Sequence, residues 1–440
     1  MPLKARAPEN RKARRSAVVT VLDIGSTKTV CIIARMVPNN GGQFLPGRTH
    51  APEVIGIGHT RSFGVKSGLI NDLDAAEQSI RHAVDAAERM AGLTVDSIIV
   101  NISAGRLASH ISSASIELDE SRPISAGDIR KVLKAAIARA SNVDRTVVHM
   151  LPVDHVLDGE RGIVDPRGMI GRELTLNMHV LTADSAPLRN VELCVNRAHL
   201  SVEAMVATPY ASGLSALVDD ELDLGCACVD MGGGTTSVAI FADRAFIHAD
   251  SIAVGGHHVT MDIARGFSCR LDDAERLKVM QGSALATPAD ERDVIQVPAI
   301  GDEDQGEVTQ VPRSLLNRII AARVEETLEM LRDRINKSGY SSVVGKRVVL
   351  TGGAAQMTGL PELARRILGR NVRIGRPLGV SGLPTSAKGP AFAAAAGLMI
   401  YPQVSDNDQR SMKFGDPFRV AGTGTDGPLG RMTQWLKESF

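Results

Sequence analysis

VVTVLDIGSTKTVCIIA, residues Val18 to Ala34, is an apolar strand, a tight bend and a second apolar strand, with Asp23-Ile24-Gly25-Ser26-Thr27-Lys28 at the bend. Alone, an Asp-x-Gly bend is an ordinary hairpin turn. A second copy changes its meaning. GCACVDMGGGTTSVAIFAD, Gly225 to Asp243, sets Asp230-Met231-Gly232-Gly233-Gly234-Thr235-Thr236 at the same point between two apolar strands. Three successive glycines cost chain entropy that no hairpin requires, and close approach of the backbone to a ligand accounts for them better. A third stretch, VVLTGGAAQMTGLPEL, ends a strand in Gly352-Gly353 and enters a helix after Leu360-Pro361.

Two such hairpins facing across a cleft can grip a phosphate chain from both sides. Backbone N–H groups cradle the phosphate oxygens, and carboxylates hold a hydrated divalent cation, usually through water. A nucleoside triphosphate with its Mg2+ is the expected ligand, with Asp23 and Asp230 the metal-facing carboxylates. The repeated strand-bend-strand unit also predicts an α/β fold of two duplicated halves.

Bulk properties bound the rest. At 440 residues, two or more domains are expected. Lys+Arg and Asp+Glu balance at 50 each, so no overall basic field would hold nucleic acid or a membrane and any such contact must be local, and aromatics at 3% weaken a base-stacking role; no nucleic-acid partner is expected. The five cysteines, Cys31, Cys194, Cys226, Cys228 and Cys269, match neither zinc nor redox spacing. Cys226 and Cys228 alternate onto one face of an apolar strand and read as packing. No segment approaches the ~18 apolar residues that a bilayer-spanning helix needs.

Along the chain, residues 1–15 read as a disordered basic leader. Residues 16–93 and 182–215 form the first core domain, with a helix from Asp72 to Ala91. Residues 94–181 break the pattern and read as an inserted subdomain. Residues 216–268 and 345–401 form the second core domain. Residues 269–344 form a smaller subdomain; Met261 to Gln281 reads as helical, Ala284 to Thr309 as polar and irregular, and the stretch from Arg313 as a long helix. Residues 402–427 are rich in Gly, Asp, Pro and Ser, the composition of a flexible linker.

Residues 428–440, PLGRMTQWLKESF, differ again. On a helix at ~100° per residue, Leu429, Leu436 and Phe440 fall within about 40° of each other, with Met432 about 40° further round and Trp435 at the stripe's edge. Arg431 and Lys437 flank the stripe. Apolar residues for the acyl region, tryptophan at the headgroup boundary and cations for anionic lipid make this an interfacial membrane-targeting helix.

The order of the three glycine stretches resembles the actin-like ATPase superfamily. Within it, VLDIGSTKTVCIIA, GVKSGLINDLDAAEQSIRHAVDAAERMAG, CVDMGGGTTSVAIF and VVLTGGAAQMTGLPELARRILG resemble the FtsA family of bacterial cell-division proteins over nearly the whole chain. The resemblance implies an actin-like ATPase fold, two mixed-sheet domains around a nucleotide cleft with a small subdomain inserted in the first half. It implies a first phosphate loop at Asp23, Gly25, Ser26, Thr27 and Lys28, and a second at Asp230, Gly232, Gly233, Gly234, Thr235 and Thr236. Thr351, Gly352, Gly353 and Ala354 would form the adenosine loop. In the segment that opens at Gly255-Gly256, Glu275 and Lys278 would face the nucleoside.

The same resemblance implies filaments of the chain on the cytoplasmic face of the inner membrane at the septum, tethering of FtsZ and recruitment of later division proteins. The FtsZ tail is expected around residues 313–336, with Arg318, Arg323 and Arg332 as exposed cations. Polymerising relatives such as MreB carry an acidic residue just before the proline of the first connecting helix, whereas here Thr208 precedes Pro209. A threonine is no general base at neutral pH, so no catalytic residue is assigned and hydrolysis is expected to be slow; Asp154 is the one distant alternative. A sugar kinase or a pilus-assembly ATPase of the same fold are the competing readings.

Overall fold

A computed structural model describes residues 18–38, 48–103, 105–140, 145–298, 308–405 and 408. The expected leader, nearly all of the expected linker and the expected amphipathic terminal helix lie outside the described residues.

Two five-stranded sheets share one topology. The first runs Ser201–Ala207, Ser97–Ile102, Val18–Ile24, Lys28–Pro38, His50–Arg61, and the second runs Asn371–Ile374, Arg347–Thr351, Cys226–Met231, Thr236–Ala242, Ala245–Ile252. In each, the strand leading into the Asp-x-Gly bend pairs antiparallel with the strand after it and parallel with the next strand inward. The duplication read from the sequence is therefore a duplication of fold.

Strand alternation decides what each sheet faces. Cys226 and Cys228 join the core between the two sheets, whereas Ala227 and Val229 join the outer core of the second half. All five cysteines are buried and unbridged. The helix Leu73–Ala91 buries Ala76, Ile80, Ala83, Val84 and Ala87 on the first sheet, and Asp72 caps it by accepting the N–H groups of Asp74 and Ala75.

Two connecting helices, Thr208–Ala216 and Ala393–Ile400, cross between the sheets. Both are almost wholly buried and rich in small residues, which lets their backbones touch. A Cβ on Gly397 would overlap the carbonyl oxygen of Ala211. Because neither helix can move without shifting a sheet, Gly397→Ala is expected to cost ~3 kcal/mol or more. A melting temperature within about 1 °C of wild type would show that this crossing yields.

The inserted subdomain is a four-stranded antiparallel sheet, Ala108–Glu117, Glu173–Ala183, Thr146–Leu157, Glu160–Ile163, covered by the helix Ala126–Ala140 over its own core. Four sequence readings need correction. The strand Ser97–Ile102, placed in the inserted subdomain, belongs to the first core sheet, where it pairs with Val18–Ile24. The helix over Met261 to Gln281 is two helices, Gly256–Phe267 and Leu271–Gln281, broken where Ser268 turns left-handed at φ 51°. Within the stretch from Ala284 to Thr309, the strand Val294–Pro298 forms a hairpin with Val308–Pro312. Finally, the chain does not leave the body at residue 402: Tyr401–Gln403 is a helical turn, and Ser405 and Asp408 are buried.

Candidate functional site

The two Asp-x-Gly bends meet tip to tip. Gly25 N–H closes the first bend on the Lys28 carbonyl (2.9 Å), and Gly232 N–H closes the second on the Thr235 carbonyl (2.8 Å). A Cβ on Gly233 would collide with Thr27, and one on Gly234 with Ser26. The glycines are thus explained by backbone approach, here of one loop to the other across the cleft. The helix Gly256–Phe267 is fastened behind the second loop, Gly256 N–H donating to the Gly232 carbonyl (2.9 Å) and His257 N–H to that of Gly233 (2.8 Å). A Cβ at Gly255 would stand 2.5 Å from the Gly232 carbonyl oxygen.

Beneath the loops lies a charged trio of two buried carboxylates and one half-buried ammonium. Asp23 and Asp230 are each 7% exposed, and Lys28 Nζ lies 3.8 Å from Asp23 Oδ2. Burial raises the Asp23 carboxyl, with Lys28 opposing. Burial lowers Lys28, with Asp23 and Asp230 opposing. Burial pushes Asp230 up to about 6, opposed by the hydrogen bond from Ser212 Oγ and aided by the charge of Asp23. Two carboxylates and one ammonium leave a deficit of positive charge in a dry place.

That deficit suits a divalent cation. Among the described residues no three His, Cys, Asp or Glu side chains converge as a metal site. A cation here would therefore draw further oxygens from water and from a phosphate chain. Gly352, at φ 87°, lets the third glycine stretch pass close to the trio, since a Cβ there would stand 2.5 Å from Asp230 Oδ1.

Beside the trio opens a cavity of about 370 Å³ lined by Thr27, Gly233, Gly256, Glu275, Lys278, Gly353 and Ala354, all expected from the sequence. His257, Gln356 and Met357 line it too and are not among the residues expected from the sequence. Their signal was adjacency, because each closely follows a glycine stretch. Lys278 Nζ bonds Glu275 Oε2 (2.7 Å), Thr260 Oγ1 (2.8 Å) and the Gly256 carbonyl (3.1 Å). With its three donors engaged, Lys278 builds the wall, and Glu275 Oε1 is the acceptor left for a hydroxyl.

Other expected residues serve as braces. Thr236 Oγ1 donates to the Val254 carbonyl (2.8 Å), and the buried Thr351 Oγ1 bonds the carbonyls of Gly375 and Pro390 (3.1 Å each). Thr208 receives Asn101 Nδ2 (3.1 Å) and shares a hydrogen with Ser103 Oγ (2.7 Å). Asp154 stays in the inserted sheet, bound to Asn177 Nδ2 (2.8 Å).

The three arginines expected as a cationic face do not form one. Arg323 is clamped to Asp262 of the neighbouring helix (2.6 and 3.2 Å), so it ties two helices together. Arg332 reaches the Ile367 carbonyl (3.4 Å), and Arg318 is exposed. On one helix Arg323 also lies about 140° round from Arg318.

Paired sheets of one topology, two glycine loops closed on each other and a nucleoside-sized cavity define an actin-like ATPase fold. Solved structures agree on the fold. The PilM-PilN type IV pilus biogenesis complex matches with a TM-score of 0.59 at 16% identity, over 88% of this chain and 98% of that one. MreB5 of Spiroplasma citri bound to ADP matches with 0.51 at 14%, over 88% and 97%.

The chain belongs to the FtsA family of cell division proteins. Residues 227–397 match the family described as Cell division protein FtsA, and residues 104–182 match the SHS2 domain inserted in FTSA. The Cell division protein FtsA of Rhizobium meliloti (strain 1021) is 61% identical over 97% of this chain and 96% of its own length. That of Pseudomonas aeruginosa is 33% identical over 96% and 98%, and that of Escherichia coli (strain K12) 28% over 98% and 100%. Family membership sets aside the sugar-kinase and pilus-assembly readings.

Proposed function

We propose that the chain binds Mg2+ and ATP in this cleft, assembles with its own copies on the cytoplasmic face of the inner membrane at the septum, anchors the FtsZ ring there and helps recruit later division proteins. The observation that carries the nucleotide part is the contact of the two glycine loops above Asp23, Lys28 and Asp230. The loops offer backbone N–H groups, and the carboxylates would hold the hydrated cation. Mg2+, when bound, would supply the positive charge that Asp23, Lys28 and Asp230 lack between them. Glu275 would accept from a ribose hydroxyl, while Gly353 and Ala354 would line the base.

ATP then acts mainly as a clamp on the cleft. Thr208 is held by Asn101 and Ser103 and has no basic oxygen for an attacking water, so turnover is slow. Among the described residues no helix is long and apolar enough to cross a membrane. Attachment is assigned to residues 428–440, whose apolar stripe and flanking cations suit an anionic lipid surface. Arg318 is the exposed cation left for an acidic FtsZ tail.

The test is a titration with a fluorescent ATP analogue, with and without Mg2+, followed by electron microscopy on an anionic lipid monolayer. Magnesium-dependent binding and filaments only with nucleotide are expected. Binding without filaments under varied lipids would overturn the assembly part.

A further inference from the structure

Asp408 stands in the stretch read as linker, yet it is 1% exposed and fully engaged. Its Oδ1 accepts the Met150 N–H (3.0 Å), and its Oδ2 accepts from His149 Nδ1 (2.6 Å) and from the Tyr401 hydroxyl (3.0 Å). His149, on the inserted-sheet strand Thr146–Leu157, has no exposed surface. Its ring is wedged between Tyr210 and Tyr401, at centroid distances of 5.0 and 5.9 Å.

The other ring nitrogen faces the start of the Thr208–Ala216 helix. Nε2 takes the N–H of Ala207 (2.9 Å). A backbone N–H only donates, so Nε2 is bare and the ring hydrogen sits on Nδ1, where Asp408 receives it. Ala207 is the residue from which the Thr208–Ala216 helix starts. Thr208 is bound by Asn101, and Asn101 Oδ1 accepts the N–H of Ile24 (2.7 Å), between Asp23 and Gly25.

A row of neighbours is not by itself coupling. Here every linked residue, from Asp408 through His149 and Ala207 to Asn101, is buried away from the water that could replace a lost partner. Ala207 N–H is an end-of-helix donor with no acceptor inside its own helix, and Asp408 holds the ring that satisfies it. The arrangement favours two states, clasped or open, over a gradual yield.

We infer that Asp408 and His149 form a clasp coupling the seating of the C-terminal extension on the body to the Thr208 end of the phosphate cleft. Withdrawal of residue 408 releases the His149 ring, frees the Ala207 N–H and loosens the loop that Asn101 holds at Ile24. By reciprocity a ligand that fixes that loop seats residue 408 more firmly. The clasp lets load on the extension be felt at the cleft, and its effect on ligand binding rests on the nucleotide reading above.

The test uses the full chain with Asp408→Ala and Tyr401→Phe, the second removing only one bond to the carboxylate. Amide hydrogen exchange is read at Ala207 and Met150 without nucleotide, and the dissociation rate of N-methylanthraniloyl-ATP with Mg2+. Asp408→Ala should speed exchange at Ala207 at least tenfold and nucleotide release several-fold, with Tyr401→Phe shifting both the same way by less. If Asp408→Ala does not fold, Tyr401→Phe carries the test. Exchange faster at Met150 but unchanged at Ala207, or faster at Ala207 with unchanged nucleotide release, overturns the inference. A wild-type chain that binds no nucleotide overturns the proposed function instead, and the Ala207 exchange rate then decides the clasp by itself.

Discussion

Asp230→Asn is expected to make the nucleotide-free protein more heat-stable at about pH 7.5 while weakening Mg-ATP binding about a hundredfold or more, the loss of a charged ligand to the cation. Asp230 is buried, and its carboxyl is raised from 3.8 to about 6. Between those two values the unfolded chain has lost the proton and the folded chain keeps it. Stability from this group is therefore fully present below about pH 4, falls as pH rises toward about 6, and is gone above. A rise of that size corresponds to about 3 kcal/mol at most. An amide carries no charge to bury and still accepts the Ser212 hydroxyl, so most of that penalty disappears. A gain of roughly 5 °C is expected at about pH 7.5, shrinking to roughly a third of that at about pH 4.5 and toward zero below about pH 4. Thermal melts in EDTA across that range check the first half, and ATP titration checks the second. A variant that melts lower than wild type at the upper end of the range would mean that the trio stabilises the empty cleft in spite of its deficit of positive charge.

The parts of this site that were legible in the sequence were those whose constraint is local. Gly232 to Gly234 and Gly352-Gly353 announce close backbone approach through their own composition. Asp72 and the apolar spacing after it likewise fixed a helix. The misreadings share the opposite property. Nothing within SIIVNI says that its hydrogen bonds go to Val18–Ile24, because the pairing partner of a strand is set by topology.

Arg323 looked like a solvent-facing cation because helical periodicity cannot see Asp262, 61 residues earlier. Asp408 sits in a composition typical of linkers, and its partner His149 is 259 residues away. The break at Ser268 was marked only by composition, through Gly266 and the weak helix formers Phe267, Ser268 and Cys269, because the left-handed position itself carries Ser where Gly or Asn would have advertised the turn.

Deleting residues 428–440 is expected to abolish co-sedimentation with anionic liposomes and to leave ATP binding unchanged. Burying ~100 Å² on each of five side chains at roughly 25 cal/mol/Å² yields on the order of 10 kcal/mol. Folding thirteen residues from coil costs a similar amount at ~1 kcal/mol per residue. One segment is therefore expected to bind weakly and reversibly. Several segments on one assembly would bind together, since after the first contact the others would meet the surface at high effective concentration. Pelleting should accordingly rise steeply with protein concentration and with ATP, whereas a segment that anchored alone would give a simple hyperbola. Trp435→Ala should shift the midpoint of that steep curve severalfold, because each assembly multiplies the loss per segment. Raising salt should weaken binding through Arg431 and Lys437 without removing its steepness. Pelleting that survives the deletion would place the membrane contact on the folded body, and ATP would then have no hold on membrane residence through the tail.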